Sequence, residues 1–328
     1  MPHPIPLHPH TVPALVPSPV PLIGRDDVPR PDLALRRGEL IRIRRGVYAP
    51  TATWAATTPW ERYLTRVHAV ALTVPDAVFS HESAAALRGL PIIGDPGAVH
   101  VLRSTQGTSR ENRGLRVHTS AAPADIEPVD GLLLTGLAET VVGIARLRHP
   151  AYGLAVADAA LRAADTLTVE ALVAHNELGA SSRGRRNARW ALHRATALAE
   201  TTLESISRAA IEWLGFEDPV LQAGFVADDG TVDRADFAWP SCAVVGEADG
   251  ALKYDGRYGT PAEVVRREKR REDRIRRGVA GFARWGWTEL RDPWQLDRIL
   301  RAAGVPCVRP AQTTPLYTLQ SMLGAPHR

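Results

Sequence analysis

Apolar and polar positions follow two different periods along the chain, and together they predict a mixture of helices and strands. Apolar residues recur at intervals of three and four in residues 137–148 and 152–164, the spacing of amphipathic helices. Residues 60–72 and 294–303 are also predicted to be helical. Short apolar or alternating runs are typical of strands, and four are present: residues 99–102, 115–118, 232–239 and 243–248. We therefore expect an α+β or α/β fold.

In residues 1–58, proline and glycine residues mark where the predicted segments begin and end. Residues 1–24 hold eight prolines and no Asp, Glu, Lys or Arg, so we expect an extended, disordered tail. Residues 25–58 predict a short helix that ends at Gly38, followed by a hairpin that turns at Arg45 and Gly46. A short helix and a hairpin in this order predict a partial winged helix.

A segment rich in Gly, Ser and Arg, residues 179–186, predicts a boundary between two domains. Residues 59–180 mix helices with short strands, which predicts a small mixed α/β domain. Residues 187–310 run as helix, two strands, basic helix, strand and helix, which predicts a sheet flanked by helices. Residues 311–328 have no predicted element and are expected to be a flexible tail.

Composition narrows the class of protein. The chain has 328 residues, 45% of them hydrophobic and 23% charged, which is typical of a globular protein of about two domains. It has no run of 18 apolar residues and no signal-like N-terminus, so we expect neither a membrane span nor secretion. Its two cysteines, Cys242 and Cys307, form no zinc-type spacing. These features favour a reduced, cytoplasmic protein.

Charge is unevenly distributed along the chain. Residues 183–328 carry 23 basic and 19 acidic side chains, whereas residues 1–182 carry 17 of each. Eight basic residues lie between Arg266 and Arg277, a cluster that suits a polyanion, although a solvated surface has the same composition. Of the 40 basic residues, 38 are arginine, and the other two are Lys253 and Lys269. A lysine can be tuned to act as a base, whereas an arginine cannot.

Carboxylates are concentrated on the strands predicted at 232–239 and 243–248. Side chains alternate along a strand, so Glu247 and Asp249 share a face, and pairing of the two strands would bring Asp236 to the same point. Clustered carboxylates repel one another unless a cation lies between them, and Mg²⁺ prefers such oxygen ligands. The pattern predicts a divalent-metal site toward which Lys253 would return after Gly250.

The same residues resemble the motif of the PD-(D/E)XK nucleases. Asp236 is followed by Glu-x-Asp-Gly-x-x-Lys at residues 247–253, then by a basic helix and a strand with arginine and tryptophan. Within that superfamily the pattern is most similar to the very-short-patch-repair-endonuclease-like branch, over about residues 200–292. Two departures are present, because the superfamily usually has Glu-x-Lys, and the branch usually has histidine at the place of Lys253.

This resemblance implies a restriction-endonuclease-like sheet and a Mg²⁺- or Mn²⁺-dependent endonuclease. Asp236 and Glu247, with Asp249, would hold the metal. Lys253 would orient or deprotonate the attacking water, and Glu204 would order a water molecule at the metal. Basic residues of the 266–277 cluster would contact the phosphates of DNA or another nucleic acid: Arg267, Lys269, Arg271 and Arg274.

Each of these acidic residues, considered alone, is also explained by a structural role. Thr201 and Glu204 form a Thr-x-x-Glu capping pattern, and Asp249 with Gly250 is a turn signal. Asp236 is also compatible with a cap or a pair at a strand end. A protein that keeps the nuclease fold but only binds is therefore a second hypothesis, and an arginine-rich globular protein with neither role is a third.

Residues 30–165 resemble the AbiEi-type antitoxins of actinobacteria, through segments such as RRGVYAP at 44–50 and FSHESAAALRGLPI at 79–92. The resemblance implies a winged helix, a small α/β domain, and a DNA-binding transcriptional regulator with a cognate toxin as partner. The hairpin arginines would contact phosphates, unless they form a solvated edge: Arg42, Arg44 and Arg45. His81 belongs to no HExxH motif, and we interpret His100 and His118 as structural residues on strands.

Overall fold

The computed structural model describes residues 14–103, 109–120, 124–226, 232–249, 271–272 and 274–324. These residues divide between two compact units, one up to Gly143 and the other from Ile144 onward. Both units combine helices with strands, so the fold is α+β, as the periodicities predict. The division falls within a helix, and the segment 179–186 connects two helices of the second unit. The domain boundaries derived from the sequence stay predictions.

The described residues of the first unit form two sheets. The strands are β1 (Ile23–Gly24), β2 (Leu40–Arg44), β3 (Val47–Pro50), β4 (Val78–Phe79), β5 (Val99–Arg103), β6 (Arg110–Asn112), β7 (Leu115–Thr119), β8 (Ile126–Val129) and β9 (Leu132–Thr135). One sheet has the order β1-β3-β2, and the other has the order β6-β7-β5-β4-β9-β8. Strands β5 and β7 are parallel neighbours.

The helices of the first unit are α1 (Pro31–Arg36), α2 (Thr51–Ala55), α3 (Pro59–Ala71), α4 (His81–Leu87) and α5 (Leu137–Leu147), the last continuing into the second unit. Helix α3 begins with a capping box, in which Thr58 and Glu61 satisfy each other's backbone N–H groups. Its buried face packs on the six-stranded sheet through residues such as Tyr63 and Val67.

The hairpin predicted after the first helix is present. Strands β2 and β3 pair antiparallel and turn at Arg45 and Gly46, where Gly46 has a φ of 81° that suits glycine. The proline-rich segment is described from residue 14 onward, and there it is anchored, because Val16 N donates to Leu87 O at 2.8 Å and β1 pairs with β3.

The second unit combines a four-stranded sheet with helices. Its helices before the sheet are α6 (Pro150–Ala163), α7 (Val169–Leu178), α8 (Arg185–Leu192) and α9 (Thr202–Leu214). The strands are β10 (Val220–Val226), β11 (Val232–Trp239), β12 (Val244–Ala248) and β13 (Gly281–Trp285), in the order β10-β11-β12-β13. The first three are antiparallel neighbours, whereas β13 runs parallel to β12.

Helical residues and short helices complete this unit. Residues 271–272 and 274–277 are helical and precede β13, in agreement with the predicted basic helix, whose earlier part lies outside the described residues. Helices α10 (Trp287–Leu290), α11 (Pro293–Ala303) and α12 (Thr313–Gly324) follow. Helix α12 corrects the flexible tail predicted for residues 311–328, because Leu316 and Leu319, three positions apart, are buried on one helical face.

Candidate functional site

Three carboxylates lie on one face of strands β11 and β12 and just beyond β12, and we call Asp236, Glu247 and Asp249 the carboxylate face. The strands pair Phe237 with Gly246, so the next position places Asp236 opposite Glu247, and Asp249 follows two residues later. Ala248 N donates to Asp236 Oδ2 at 2.9 Å, which holds the Asp236 side chain against β12. The sheet therefore places the predicted acidic residues on one face. Within the described residues, their carboxylate oxygens do not form a group of three within 4.8 Å of one another.

Arginines of the same unit bind two of these carboxylates. Glu247 is buried, and Arg271 Nη2 donates to its Oε1 at 2.6 Å. Arg284 Nε donates to Asp249 Oδ2 at 2.5 Å, and Arg284 Nη1 donates to Glu272 Oε2 at 2.7 Å. Two of the three carboxylates of this face are therefore paired with guanidinium groups of the chain itself.

Glu204 lies at the start of α9 and is coupled to the carboxylate face. Burial is the main reason that the pKa of Glu204 is raised, and the nearby charge of Asp236 also raises it. Glu204 N donates to the Oγ1 atom of Thr201, so the predicted cap is confirmed. The carboxylate itself accepts from Glu200 N at 2.9 Å and from Gln222 Nε2 at 2.9 Å.

Gln222 supplies a further oxygen beside Glu204. Its Oε1 atom is buried and accepts no hydrogen bond from any residue within the described ranges. The backbone of Gln222 has a φ of 52°, a conformation that non-glycine residues rarely adopt and that is often retained at functional sites. Sequence analysis missed this residue, because nothing in its strand pattern signals the unusual backbone.

The other predicted residues of this unit fall into two groups. Lys253, Arg267 and Lys269 lie outside the described residues. Arg271 and Arg274 are described, and both hold the helical residues 271–272 and 274–277 to strand β11. Arg274 binds Asp233 in a bidentate pair at 2.7 and 2.8 Å, and Arg271 Nη1 donates to Arg234 O at 2.7 Å.

A concave arginine cluster lies beside the hairpin of the first unit, where the sequence predicted phosphate contacts. A pocket of about 380 Å³ is lined by four arginines, which define the arginine pocket: Arg44, Arg45, Arg66 and Arg113. Arg66 forms an ion pair with Asp95. Within the part of the chain that the structure describes, the other three form no ion pair. Arg42 is exposed on β2 nearby in the chain.

Three histidines of the first unit form a cluster that sequence analysis did not anticipate. His81, His100 and His118, the histidine cluster, each offer a nitrogen, and these nitrogens all lie within 4.8 Å of one another. Among the described residues, no other group of three or more His, Cys, Asp or Glu side chains has ligand atoms this close together. Three isolated histidines carry no spacing motif, and only the adjacency of their strands could have revealed them.

Comparison with known proteins identifies relatives of this chain, but no activity is stated for them. No protein-family model matches the chain. Two uncharacterized proteins of Mycobacterium tuberculosis, MT2308 and Rv2248, are each 32% identical to it over 278 residues, which is 83% of this chain and 92% of their own length. Among the described residues, no helix is long and apolar enough to cross a membrane.

Proposed function

The chain belongs to the family of these mycobacterial proteins, and we propose that it binds DNA, or another nucleic acid, and hydrolyses phosphodiester bonds in its second unit. The observation that carries the proposal is the carboxylate face. Asp236 and Glu247 lie opposite each other on neighbouring strands, Asp249 follows on the same face, and the charge of Asp236 acts on Glu204. Catalytic carboxylates on adjacent strands are what the resemblance to the PD-(D/E)XK nucleases implies.

The donor atoms of this face are of the chemical type that suits Mg²⁺ or Mn²⁺, and a bound cation would have to draw the three carboxylates closer together than the 4.8 Å spacing they now exceed. Carboxylate and amide oxygens are the ligands that hard divalent cations prefer, and the buried Oε1 of Gln222 adds one more such oxygen. Asp236 and Glu247, with Asp249, would hold the cation. When bound, it polarises a phosphoryl oxygen and lowers the pKa of water. Glu204, whose pKa is raised by burial and by the charge of Asp236, would order a water molecule at the cation.

Arginines supply the affinity for the phosphate backbone in this proposal. Arg44, Arg45 and Arg113 converge on the arginine pocket, and a concave surface of one charge attracts a polyanion. Such contacts position a nucleic acid without reading its sequence. We place the activity in the cytoplasm, since Cys242 and Cys307 are free thiols.

One observation favours a second candidate function. Arg271 and Arg284 bind Glu247 and Asp249, so the chain's own cations neutralise two of the proposed metal ligands. A nuclease fold that retains only nucleic-acid binding would show such pairing. The second candidate is therefore an AbiEi-type transcriptional regulator with a cognate toxin and an inactive nuclease-like unit.

Cleavage and binding assays on the same variants separate these functions. Plasmid and single-stranded DNA are incubated with Mg²⁺, Mn²⁺ or EDTA, using wild type, Asp236→Asn, Glu247→Gln and Lys253→Ala. Asp297→Asn is the matched control, because Asp297 also binds an arginine, Arg301, but lies on α11. Binding is measured in EDTA over a range of salt concentrations.

The nuclease proposal expects metal-dependent cleavage that disappears in all three site variants and persists in Asp297→Asn. Salt-sensitive binding without cleavage by the wild type would contradict the nuclease and support the regulator. Cleavage that persists in Asp236→Asn and Glu247→Gln would place the chemistry elsewhere and overturn the proposed site.

A further inference from the structure

The histidine cluster is built by three neighbouring elements of the six-stranded sheet. His100 lies on β5 and His118 on β7, two register positions apart on adjacent parallel strands, so their side chains share a face. His81 follows β4, which pairs with β5, and Ser80 N donates to His100 O at 3.1 Å. Backbone pairing therefore places all three imidazoles at one point.

The imidazole rings are in direct contact. His81 and His118 stack with ring centroids 3.9 Å apart, and the His100 centroid lies 5.0 Å from that of His118. His118 Nε2 is 3.0 Å from His100 Nδ1. Zinc–nitrogen bonds of about 2.0–2.1 Å in a tetrahedron place two ligand nitrogens roughly 3.3 Å apart. The nitrogens all lie within 4.8 Å of one another. To direct their nitrogens at one ion, the His81 and His118 rings must turn out of their stacked arrangement, in which the ring planes are 18° apart.

Neighbouring residues orient the rings. Glu82 is fully buried, and its Oε2 lies 3.3 Å from His100 Nδ1, the nitrogen that also faces His118. His81 Nδ1 lies 3.1 Å from Ser80 Oγ, a contact that fixes the orientation of this ring. Gly143 lies against this ring, since a Cβ there would be 3.1 Å from His81 Nε2.

The backbone of His81 adds an independent sign of a functional constraint. Its φ is 47°, in the left-handed region that costs a non-glycine residue free energy. Residues kept in such conformations concentrate at binding and catalytic sites. The strain holds an imidazole toward two others, whereas a residue that only begins a helix needs no such conformation.

We propose that His81, His100 and His118 bind one divalent transition-metal ion of the zinc class. Three imidazole ligands favour zinc and its first-row neighbours over Mg²⁺, so this site differs in chemistry from the carboxylate face. Three protein ligands leave a fourth position for water or a small anion, as in catalytic zinc sites. His81 and His118 are partly exposed, so that position is accessible from solvent.

Metal binding is measured on the full chain by two methods. Protein stripped with a chelator is loaded with zinc, dialysed and assayed for metal by mass spectrometry. Separately, it is titrated with Co²⁺, because tetrahedral nitrogen ligation gives cobalt an intense visible absorption. The variants are His118→Ala and His81→Gln, with His193→Ala as control, because His193 is an exposed histidine at the end of α8.

The expected result is one zinc per wild-type chain and a tetrahedral cobalt spectrum. His118→Ala and His81→Gln should each weaken zinc affinity by about 100-fold or more, and His193→Ala should not change it. The double variant Asp236→Asn/Glu247→Gln should also retain zinc. Folded wild-type protein that retains no zinc and gives no cobalt absorption overturns the proposal, whatever the histidine variants do. Equal zinc affinity in His118→Ala and His193→Ala overturns it too.

Discussion

Replacing Arg271 with methionine tests the electrostatics of the carboxylate face. The substitution keeps most of the side-chain volume and removes the guanidinium that lies 2.6 Å from Glu247 Oε1. Breaking a buried ion pair costs about 3–5 kcal/mol, whereas an exposed pair contributes about 0–1 kcal/mol. Because the side chains of Glu247 and Arg271 are 4% and 24% exposed, we expect the free energy of unfolding to fall by about 2–3 kcal/mol.

Divalent cations should compensate for this substitution. In the wild type, Arg271 and a cation compete for Glu247, whereas in Arg271→Met the carboxylates repel one another without that guanidinium. A ligand at 100 times its Kd stabilises the folded state by about 2.7 kcal/mol. Mg²⁺ should therefore stabilise Arg271→Met more than it stabilises the wild type.

Urea unfolding followed by tryptophan fluorescence measures both effects. Six of the eight tryptophans lie in the second unit, so the signal reports mainly on that unit. Arg276→Met is the matched control, because Arg276 belongs to the same helical segment but binds Glu272 near the surface. Its expected cost is about 1 kcal/mol or less.

Two results would refute this reasoning. If Arg271→Met costs no more than Arg276→Met, the buried Glu247 does not depend on Arg271. If Mg²⁺ stabilises the wild type and both variants equally, the carboxylate face does not bind the cation. The double variant Glu247→Gln/Arg271→Met should regain part of the lost stability and lose the additional response to Mg²⁺.

Three further predictions concern other parts of the chain. Burial raises the pKa of Asp158 from 3.8 to about 6 despite its contact with Arg208. Asp158 therefore stabilises the fold at low pH and loses up to about 3 kcal/mol of that contribution as pH rises from 4 to 6, at 1.36 kcal/mol per pKa unit. Unfolding curves at several pH values should show this loss in the wild type and not in Asp158→Asn. Gly246→Ala should destabilise the second unit by about 1–3 kcal/mol in a thermal or urea melt, because its Cβ would lie 2.7 Å from the Trp285 ring. An unchanged melt would show that the ring moves freely. Arg45→Gln should weaken DNA binding and reduce the slope of log K against log salt by about 0.9, and an unchanged slope would remove Arg45 from the interface.

Local patterns predicted much of the secondary structure. The helix at residues 60–72, the hairpin at Gly46 and the strands β11 and β12 were predicted, because each depends on neighbours within a few residues. The acidic residues of the carboxylate face were legible for the same reason, since alternation along a strand fixes which side chains share a face. Strand β10 was missed, and its interior residue Gln222 has a positive φ that no periodicity reports.

The other features of the two sites depend on contacts between residues that are far apart in the sequence. Sequence patterns are enough to predict an α+β or α/β chain, where its charges lie and which carboxylates share a strand face. The contact of Arg271 with Glu247 and the meeting of His81, His100 and His118 become visible in the folded structure alone, because partners tens of residues apart depend on strand order. Strand order is set by burial of the whole sheet against its helices, a property of the complete fold that no local window of sequence contains.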